Sequence, residues 1–135
     1  MEQIHKISAM VIKDNTLLMV KKVGKETWTT LGGKPEQGET EEEALFREID
    51  EEIHCNAKII RKLGDFVTDA HHDKGFTVKL STYLVELLGE INLDDPELEK
   101  ADFIPKEYEE KGIKLPPSMT ELVIPFLKKE ELIDW

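Results

Sequence analysis

The hydrophobic positions of this chain follow two spacings, one typical of strands and one typical of a helix. In residues 40–53 apolar side chains recur every three or four positions, which predicts an amphipathic helix. The tripeptide Lys13-Asp14-Asn15 predicts a hairpin turn between two apolar segments. Apolar segments bounded by turn residues predict strands at residues 4–13, 16–22, 26–31, 57–68, 76–88 and 102–104.

The remaining segments predict loops and a second helix. Ser118 is predicted to cap a final helix that runs to about Lys129 and that Pro125 kinks or limits. Strands that precede, flank and follow a central helix predict an α/β or α+β sandwich with a mixed sheet between helices. Polar composition predicts loops at residues 69–75 and 90–100, and one helical turn at residues 106–111.

Length, charge and cysteine content limit the class of protein. The 135 residues suit one domain over residues 1–135, and the net charge of −11 argues against binding to duplex nucleic acid. The single cysteine, Cys55, forms no intramolecular disulfide, which is compatible with a reducing cytosol. The amino terminus lacks a signal peptide's apolar run, and no segment approaches a membrane span. We therefore expect a cytoplasmic protein without a membrane partner, and a homodimer stays open.

The predicted helix carries more carboxylate than a helix needs. At about 100° per residue, Glu48, Glu51 and Glu52 fall within an arc of about 100°, and Glu41 projects from the same side. Glutamates three and four residues apart repel each other, and a hard divalent cation bound by oxygen compensates such a cluster. The alternative is a solvated acidic face, which composition alone favours.

The order of residues from Gly32 to Cys55 favours the metal site over the solvated acidic face. Gly33 is followed after five residues by Glu39, and after seven more by Arg47-Glu48-Ile49, one residue and Glu51-Glu52. This pattern resembles the Nudix box, which has glycine, five residues, glutamate, seven residues, Arg-Glu-aliphatic, one residue, Glu-Glu, one residue, glycine and an aliphatic residue. Three positions differ from the usual pattern, namely Leu31 in place of a common proline, His54 in place of the final glycine and Cys55 in place of the aliphatic residue.

The resemblance implies a Nudix-type α/β/α sandwich and a hydrolase. Nudix enzymes cleave a diphosphate linked to another moiety by water attack at phosphorus with Mg²⁺ or Mn²⁺. By position in the motif, Glu48, Glu51 and Glu52 bind metal, and Glu51 or Glu52 also orients or deprotonates the water. Gly33 lets its backbone approach the metal and contributes a carbonyl oxygen.

Two further charged positions of the motif have supporting roles. Arg47 lies four residues before Glu51 and is predicted to orient it, with an ordinary surface ion pair as the alternative. Glu39 lies near the helix start, where a carboxylate favours the helix dipole, and is predicted to brace the loop against the helix.

A further metal ligand is predicted outside the motif. Some family members recruit another glutamate from a loop beyond the fourth long strand, where this chain has Asp94, Asp95, Glu97 and Glu99. We select Glu97, because it precedes the apolar residues 103–104 by a plausible loop length. The alternative is a solvated acidic loop.

Candidate substrate contacts are fewer. Trp28 precedes the glycines and is predicted to stack on a base, with a core position as the alternative. Ser118 and Met119 enter the final helix where nucleotide-sanitising relatives contact the base. The loop histidines His71 and His72 either contact substrate or lie in solvent.

The default substrate is a small nucleoside triphosphate or nucleoside diphosphate derivative. Two alternatives to an enzyme stay open, namely a catalytically weak nucleotide-binding or regulatory module and an acidic interaction protein with calcium affinity.

Overall fold

The computed structural model describes residues 2–69 and 75–135, and it divides the strands between two sheets. The larger sheet has the order β4-β1-β6-β5, in which β1 and β6 are parallel and the other pairs are antiparallel. The smaller sheet is antiparallel, with the order β2-β3-β7. The strands are β1 (Glu2–Met10), β2 (Ile12–Lys13), β3 (Thr16–Lys22), β4 (Leu31–Gly33), β5 (Ala57–Asp69), β6 (Phe76–Leu87) and β7 (Leu98–Ile104).

The predicted acidic helix is confirmed as α1 (Glu41–Ile53). Its first turn is closed by a capping box, in which Thr40 Oγ1 accepts from the Glu43 N–H at 3.1 Å and Glu43 Oε1 accepts from the Thr40 N–H at 3.0 Å. The helix ends at His54, whose left-handed backbone has φ 50° and ψ 48°. A glycine would adopt this conformation without steric cost, so histidine at this position is strained.

The second predicted helix is present but begins differently. A π-helical segment (Ser118–Val123) leads directly into α2 (Ile124–Lys129). The prediction that Ser118 caps this helix is wrong, because Pro117 occupies the cap position and no side chain caps it. The Pro116 carbonyl instead accepts from the N–H groups of Met119 and Thr120 at 2.9 and 3.2 Å. Pro125 lies in the first turn of α2, directly after the π-helical segment.

Three boundary predictions need correction. The strand predicted at residues 26–31 lies at Leu31–Gly33, because the two glycines pair with β1 while residues 27 and 29 form only isolated bridges. The strand predicted at residues 102–104 begins already at Leu98, which is buried and pairs with Lys22. The helical turn predicted at residues 106–111 is a series of turns.

Two clusters of buried side chains form the core. The first lies beneath α1, which packs on β4 and β1, and it includes Ile7, Ala9, Leu31, Leu45, Ile49 and Ile53. The second includes Met10, Leu17, Trp28, Met119, Val123 and Leu127, of which the last three belong to the π-helical segment and α2. Among the described residues, no helix is long and apolar enough to cross a membrane.

Candidate functional site at the glycine loop and helix α1

The two glycines of β4 have no side chains, and they therefore allow the loop to approach neighbouring segments closely. Gly32 has φ 134°, and a Cβ there would lie 1.9 Å from the Ile7 carbonyl oxygen. A Cβ on Gly33 would lie 2.6 Å from Glu48 Oε1. Gly32 is therefore required for strand pairing with β1, whereas Gly33 is required for the approach of the loop to a carboxylate of α1.

The structure brings the three motif glutamates to one cavity of about 430 Å³. Glu52 is only 6% exposed, and its Oε1 accepts from the Gly32 N–H at 2.8 Å. The Glu48 side chain is 17% exposed and the Glu51 side chain 56% exposed, so the three carboxylates range from buried to open. The cavity therefore offers several carboxylate oxygens beside the backbone of Gly33.

Burial perturbs two of these carboxylates. Burial, together with the negative charges of Glu48 and Asp95, raises the pKa of Glu52 to about 7, although the Gly32 N–H and Lys22 oppose the shift. Burial also raises the pKa of Glu48, although its hydrogen bond from Arg47 opposes the shift. The positive charges of the chain thus compensate the charged forms of these two carboxylates only in part.

Arg47 joins the loop to the helix. Its Nε and Nη2 donate to the two carboxylate oxygens of Glu39 at 2.7 and 2.9 Å, and Nη2 also donates to the Lys34 carbonyl at 3.2 Å. Its Nη1 donates to Glu48 at 3.0 Å and to Glu51 at 3.3 Å. The hydrogen bonds from Arg47 lower the pKa of Glu39. Arg47 therefore contacts Glu51, as the spacing predicts, but holds Glu39 and Glu48 more closely.

The structure separates the four acidic candidates between residues 94 and 99. Asp95 and Glu97 line the same cavity as the motif glutamates, and Asp95 Oδ1 accepts from the Glu97 N–H at 2.9 Å. Asp94 pairs with His54, and Glu99 pairs with Lys21. Sequence reasoning considered Asp95 but did not select it, and the sequence carries no local signal that favours it over its neighbours.

Glu41 lies away from this cavity, although helical periodicity places it on the same side of α1. Its carboxylate accepts from Tyr83 Oη at 2.6 Å, from Ser81 Oγ at 3.0 Å and from Lys62 Nζ at 3.0 Å. Burial opposes ionisation of Glu41, but these hydrogen bonds outweigh it and the pKa is lowered. Glu41 therefore anchors the first turn of α1 to β5 and β6.

A second cavity of about 490 Å³ adjoins the first, and the two share Lys6, Lys22, Gly32 and Gly33. The predicted substrate residues Ser118 and Met119 line it, together with apolar residues of β6 and the loop before the π-helical segment.

The candidate substrate contact Trp28 is not placed there. Trp28 does not line the second cavity, because it is 6% exposed and packs within the second core cluster. The assignment of Trp28 to the substrate site is therefore corrected to a core position. His71 and His72 lie outside the described residues.

The donor set of the first cavity fits a hard divalent cation. Its candidate ligands are carboxylate oxygens and the backbone oxygen of Gly33, which are the ligands that Mg²⁺ and Mn²⁺ prefer. Among residues 3–68 and 75–135, no three acidic, histidine or cysteine side chains form a preassembled ion cage. Glu48 and Glu52 instead each use one carboxylate oxygen to accept a hydrogen bond, from Arg47 and from the Gly32 N–H respectively.

Comparisons with known proteins point to one family. The NUDIX domain family model matches residues 4–122. An ADP-ribose pyrophosphatase of Methanocaldococcus jannaschii is 30% identical over 100 residues, which are 72% of this chain and 59% of that protein.

Solved structures share the fold. A crystal structure of UDP-X diphosphatase matches with a TM-score of 0.81 at 21% identity, covering 98% of this chain and 64% of that one. A MutT NUDIX hydrolase from Burkholderia pseudomallei matches with a TM-score of 0.72 at 20% identity, covering 95% of this chain and 98% of that one. The chain thus spans less than two thirds of the archaeal pyrophosphatase and of the UDP-X diphosphatase.

The family assignment depends on the extent of the match and on the motif together. The family model covers most of the chain, and the residues of the glycine loop and α1 stand at the spacing of the Nudix box. The mixed α/β architecture agrees with the solved structures. The chain belongs to the NUDIX domain family.

Proposed function

We propose that the chain is a divalent-metal-dependent pyrophosphohydrolase that cleaves a nucleoside diphosphate linked to another moiety. The observation that carries this proposal is the meeting of Glu48, Glu51 and Glu52 with the Gly33 backbone in one cavity. The adjoining cavity of about 490 Å³ has the size of a small-molecule site. The names of two relatives, ADP-ribose pyrophosphatase and UDP-X diphosphatase, support this substrate class.

The reaction needs charge neutralisation and in-line positioning more than covalent chemistry by the protein. A bound Mg²⁺ or Mn²⁺ would neutralise phosphate oxygens and lower the pKa of a water molecule. The water oxygen forms a bond to phosphorus, the phosphoanhydride P–O bond breaks, and the leaving phosphate retains the bonding electrons.

The chain's own residues divide the remaining tasks. Glu48, Glu51 and Glu52 would hold the cation, with Glu97 as a further ligand, and Glu51 or Glu52 accepts the proton of the attacking water. Because the Gly32 N–H already holds Glu52 Oε1, the second oxygen of Glu52 is the one available for water or metal. Arg47 positions Glu48 and Glu51 through Nη1 while its other nitrogens hold Glu39.

Substrate is held at the second cavity. Ser118 and Met119 lie in its wall, and Val78 and Leu80 add apolar surface from β6. A nucleoside fits such a surface, because its base presents an apolar face and its ribose presents hydroxyl groups. The diphosphate then extends past Gly32 and Gly33 toward the carboxylates.

A hydrolysis screen tests the proposal. Nucleoside triphosphates, nucleoside diphosphate sugars and ADP-ribose are incubated with the chain in Mg²⁺, in Mn²⁺ and in excess chelator, and phosphate-containing products are measured. Hydrolysis of at least one compound should require the metal. Glu52→Gln should lower turnover by roughly a thousandfold while the fold is kept, because the side chain keeps nearly its size. Glu42→Gln, on the exposed first turn of α1, is the matched control. Turnover that persists in chelator, or an active Glu52→Gln chain, contradicts the mechanism.

A catalytically weak nucleotide-binding module is the second candidate. It is favoured by one observation, namely that Glu48 and Glu52 are engaged by Arg47 and Gly32 instead of forming a preassembled ion cage among the described residues. Nucleotide binding by calorimetry without turnover in either metal would select this candidate. The cytoplasmic location and the homodimer stay predictions.

A further inference from the structure

Two lysines stand at the passage between the two cavities. Lys6 lies on β1 of the larger sheet, and Lys22 lies at the end of β3 of the smaller sheet. Both side chains are exposed, and both line the carboxylate cavity and the second cavity. The passage is therefore flanked by one positive charge from each sheet.

In the part of the chain that the structure describes, these lysines lack carboxylate partners. Within residues 3–68 and 75–135, neither ammonium lies within 4.0 Å of an Asp or Glu oxygen. Other lysines of the chain do form such ion pairs, namely Lys21 with Glu99, Lys62 with Glu41 and Asp65, and Lys114 with Glu26. Because Lys6 and Lys22 both line the same two cavities, their positive charges favour an anion from outside the chain at this passage.

The local electrostatics agree with this geometry. Although much of Lys6 is exposed, burial around its ammonium lowers the pKa of Lys6, and the positive charges of Lys22 and Lys34 lower it further. Lys22 also attracts the carboxylates of Glu48 and Glu52 at longer range. An anion between Lys6 and Lys22 would relieve the repulsion between them.

We propose that Lys6 and Lys22 clamp the diphosphate of the substrate where it passes from the second cavity into the carboxylate cavity. This inference rests on the proposed function, because it assumes that one substrate occupies both cavities. The clamp selects ligands with two consecutive phosphates, because one phosphate contacts the lysines while the next extends into the carboxylate cavity. Lys6 is thus a specificity-determining residue that lies outside the Nudix box.

Calorimetric binding of inorganic pyrophosphate in Mg²⁺ tests the clamp without any hydrolysis step. The intact chain should bind pyrophosphate more tightly than inorganic phosphate. Lys6→Met and Lys22→Met should each weaken pyrophosphate binding by roughly tenfold, because each removes one charge-assisted contact. Lys6→Arg should retain most of the binding. Lys25→Met is the control, because Lys25 is an exposed lysine that lines neither cavity.

The outcomes separate this inference from the proposed function. Absence of pyrophosphate binding by the intact chain, or equal binding by Lys6→Met and Lys25→Met, overturns the clamp even if the chain hydrolyses nucleotides. Lysine-dependent pyrophosphate binding in a chain that hydrolyses nothing supports the phosphate site and contradicts the enzyme. On an active chain, Lys6→Met should raise KM more than it lowers kcat, whereas a lysine that only balances carboxylate charge would change kcat first.

Discussion

Replacement of Gly33 by alanine tests whether the loop must approach α1 for catalysis. The added Cβ would lie 2.6 Å from Glu48 Oε1, whereas ordinary contact begins at 3.4 Å. The Glu48 carboxylate must therefore retreat by about 0.8 Å, the difference between these two distances. A displacement of about 1 Å at a catalytic group lowers a rate by roughly a hundredfold. We expect Gly33→Ala to lower kcat/KM by about that factor.

The same substitution should cost the fold little. The atom that the Cβ meets belongs to the end of a flexible side chain, and Gly33 does not have a positive φ. Alanine at such a position restricts the unfolded chain and can stabilise a protein by about 0.4–1 kcal/mol. The melting temperature should therefore stay unchanged or rise slightly. Steady-state hydrolysis and thermal denaturation of the same preparation measure both quantities.

Gly32→Ala is the matched control one residue away. Its Cβ would lie 1.9 Å from the backbone oxygen of Ile7, and its φ of 134° is unfavourable for any side chain. This variant should lose several degrees of melting temperature, because β4 must separate from β1. The reasoning is refuted if Gly33→Ala keeps its activity within a factor of about two, or if its melting temperature falls as far as that of Gly32→Ala.

Three further predictions follow from single contacts. His54→Gly should raise the free energy of unfolding by about 1 kcal/mol, because glycine relieves the strain of the left-handed backbone, less the small contribution of the ion pair to Asp94. Denaturant titration of His54→Gly and of Asp94→Ala separates these two effects. A loss of stability in His54→Gly refutes the strain. Glu97→Gln should lower kcat without changing the melting temperature, whereas Glu99→Gln should be close to neutral in both. The reason is that Glu97 lines the carboxylate cavity, whereas Glu99 pairs with Lys21. Equal activity of the two variants shows that the wrong residue was chosen. The folded chain lowers the pKa of Glu41 from its ordinary 4.5, so this residue stabilises the fold above that pH and the stabilisation is lost as the pH falls through the lowered value. Melting temperatures of the intact chain and Glu41→Gln should therefore converge as the pH falls below 4.5 and through the lowered pKa, and a difference that stays constant through this fall would contradict the assignment.

The helix and its carboxylate spacing were predictable because they depend on neighbours along the chain. Thr40 and Glu43 close the first turn of α1 through contacts three residues apart. Helical geometry then sets the angles between Glu48, Glu51 and Glu52 whatever packs around them. The family motif is itself a pattern of local spacings, and it was sufficient to assign the NUDIX domain family and its fold.

Positions that depend on distant segments were not predictable in this way. Trp28 is a core residue because it packs in one cluster with side chains from β1, β3 and the π-helical segment. The residues next to Trp28 in the sequence do not indicate these contacts. Whether Glu97 or Glu99 meets the carboxylates depends on where β7 begins, which the pairing of Leu98 with β3 decides. These outcomes are set by burial and strand pairing between segments that are far apart in the chain.

The passage between the cavities shows most clearly which features local sequence determines and which depend on tertiary structure. From the sequence alone, Lys6 and Lys22 are two ordinary lysines in apolar strands, and nothing in their local pattern relates them. The two lysines line one cavity because the sheet that contains β1 and the sheet that contains β3 meet beside the glycine loop. The sequence by itself determined the helix, its carboxylates and the family, since local spacing sets these. The tertiary structure alone decided which charges share a cavity, because charges interact through space and not along the chain.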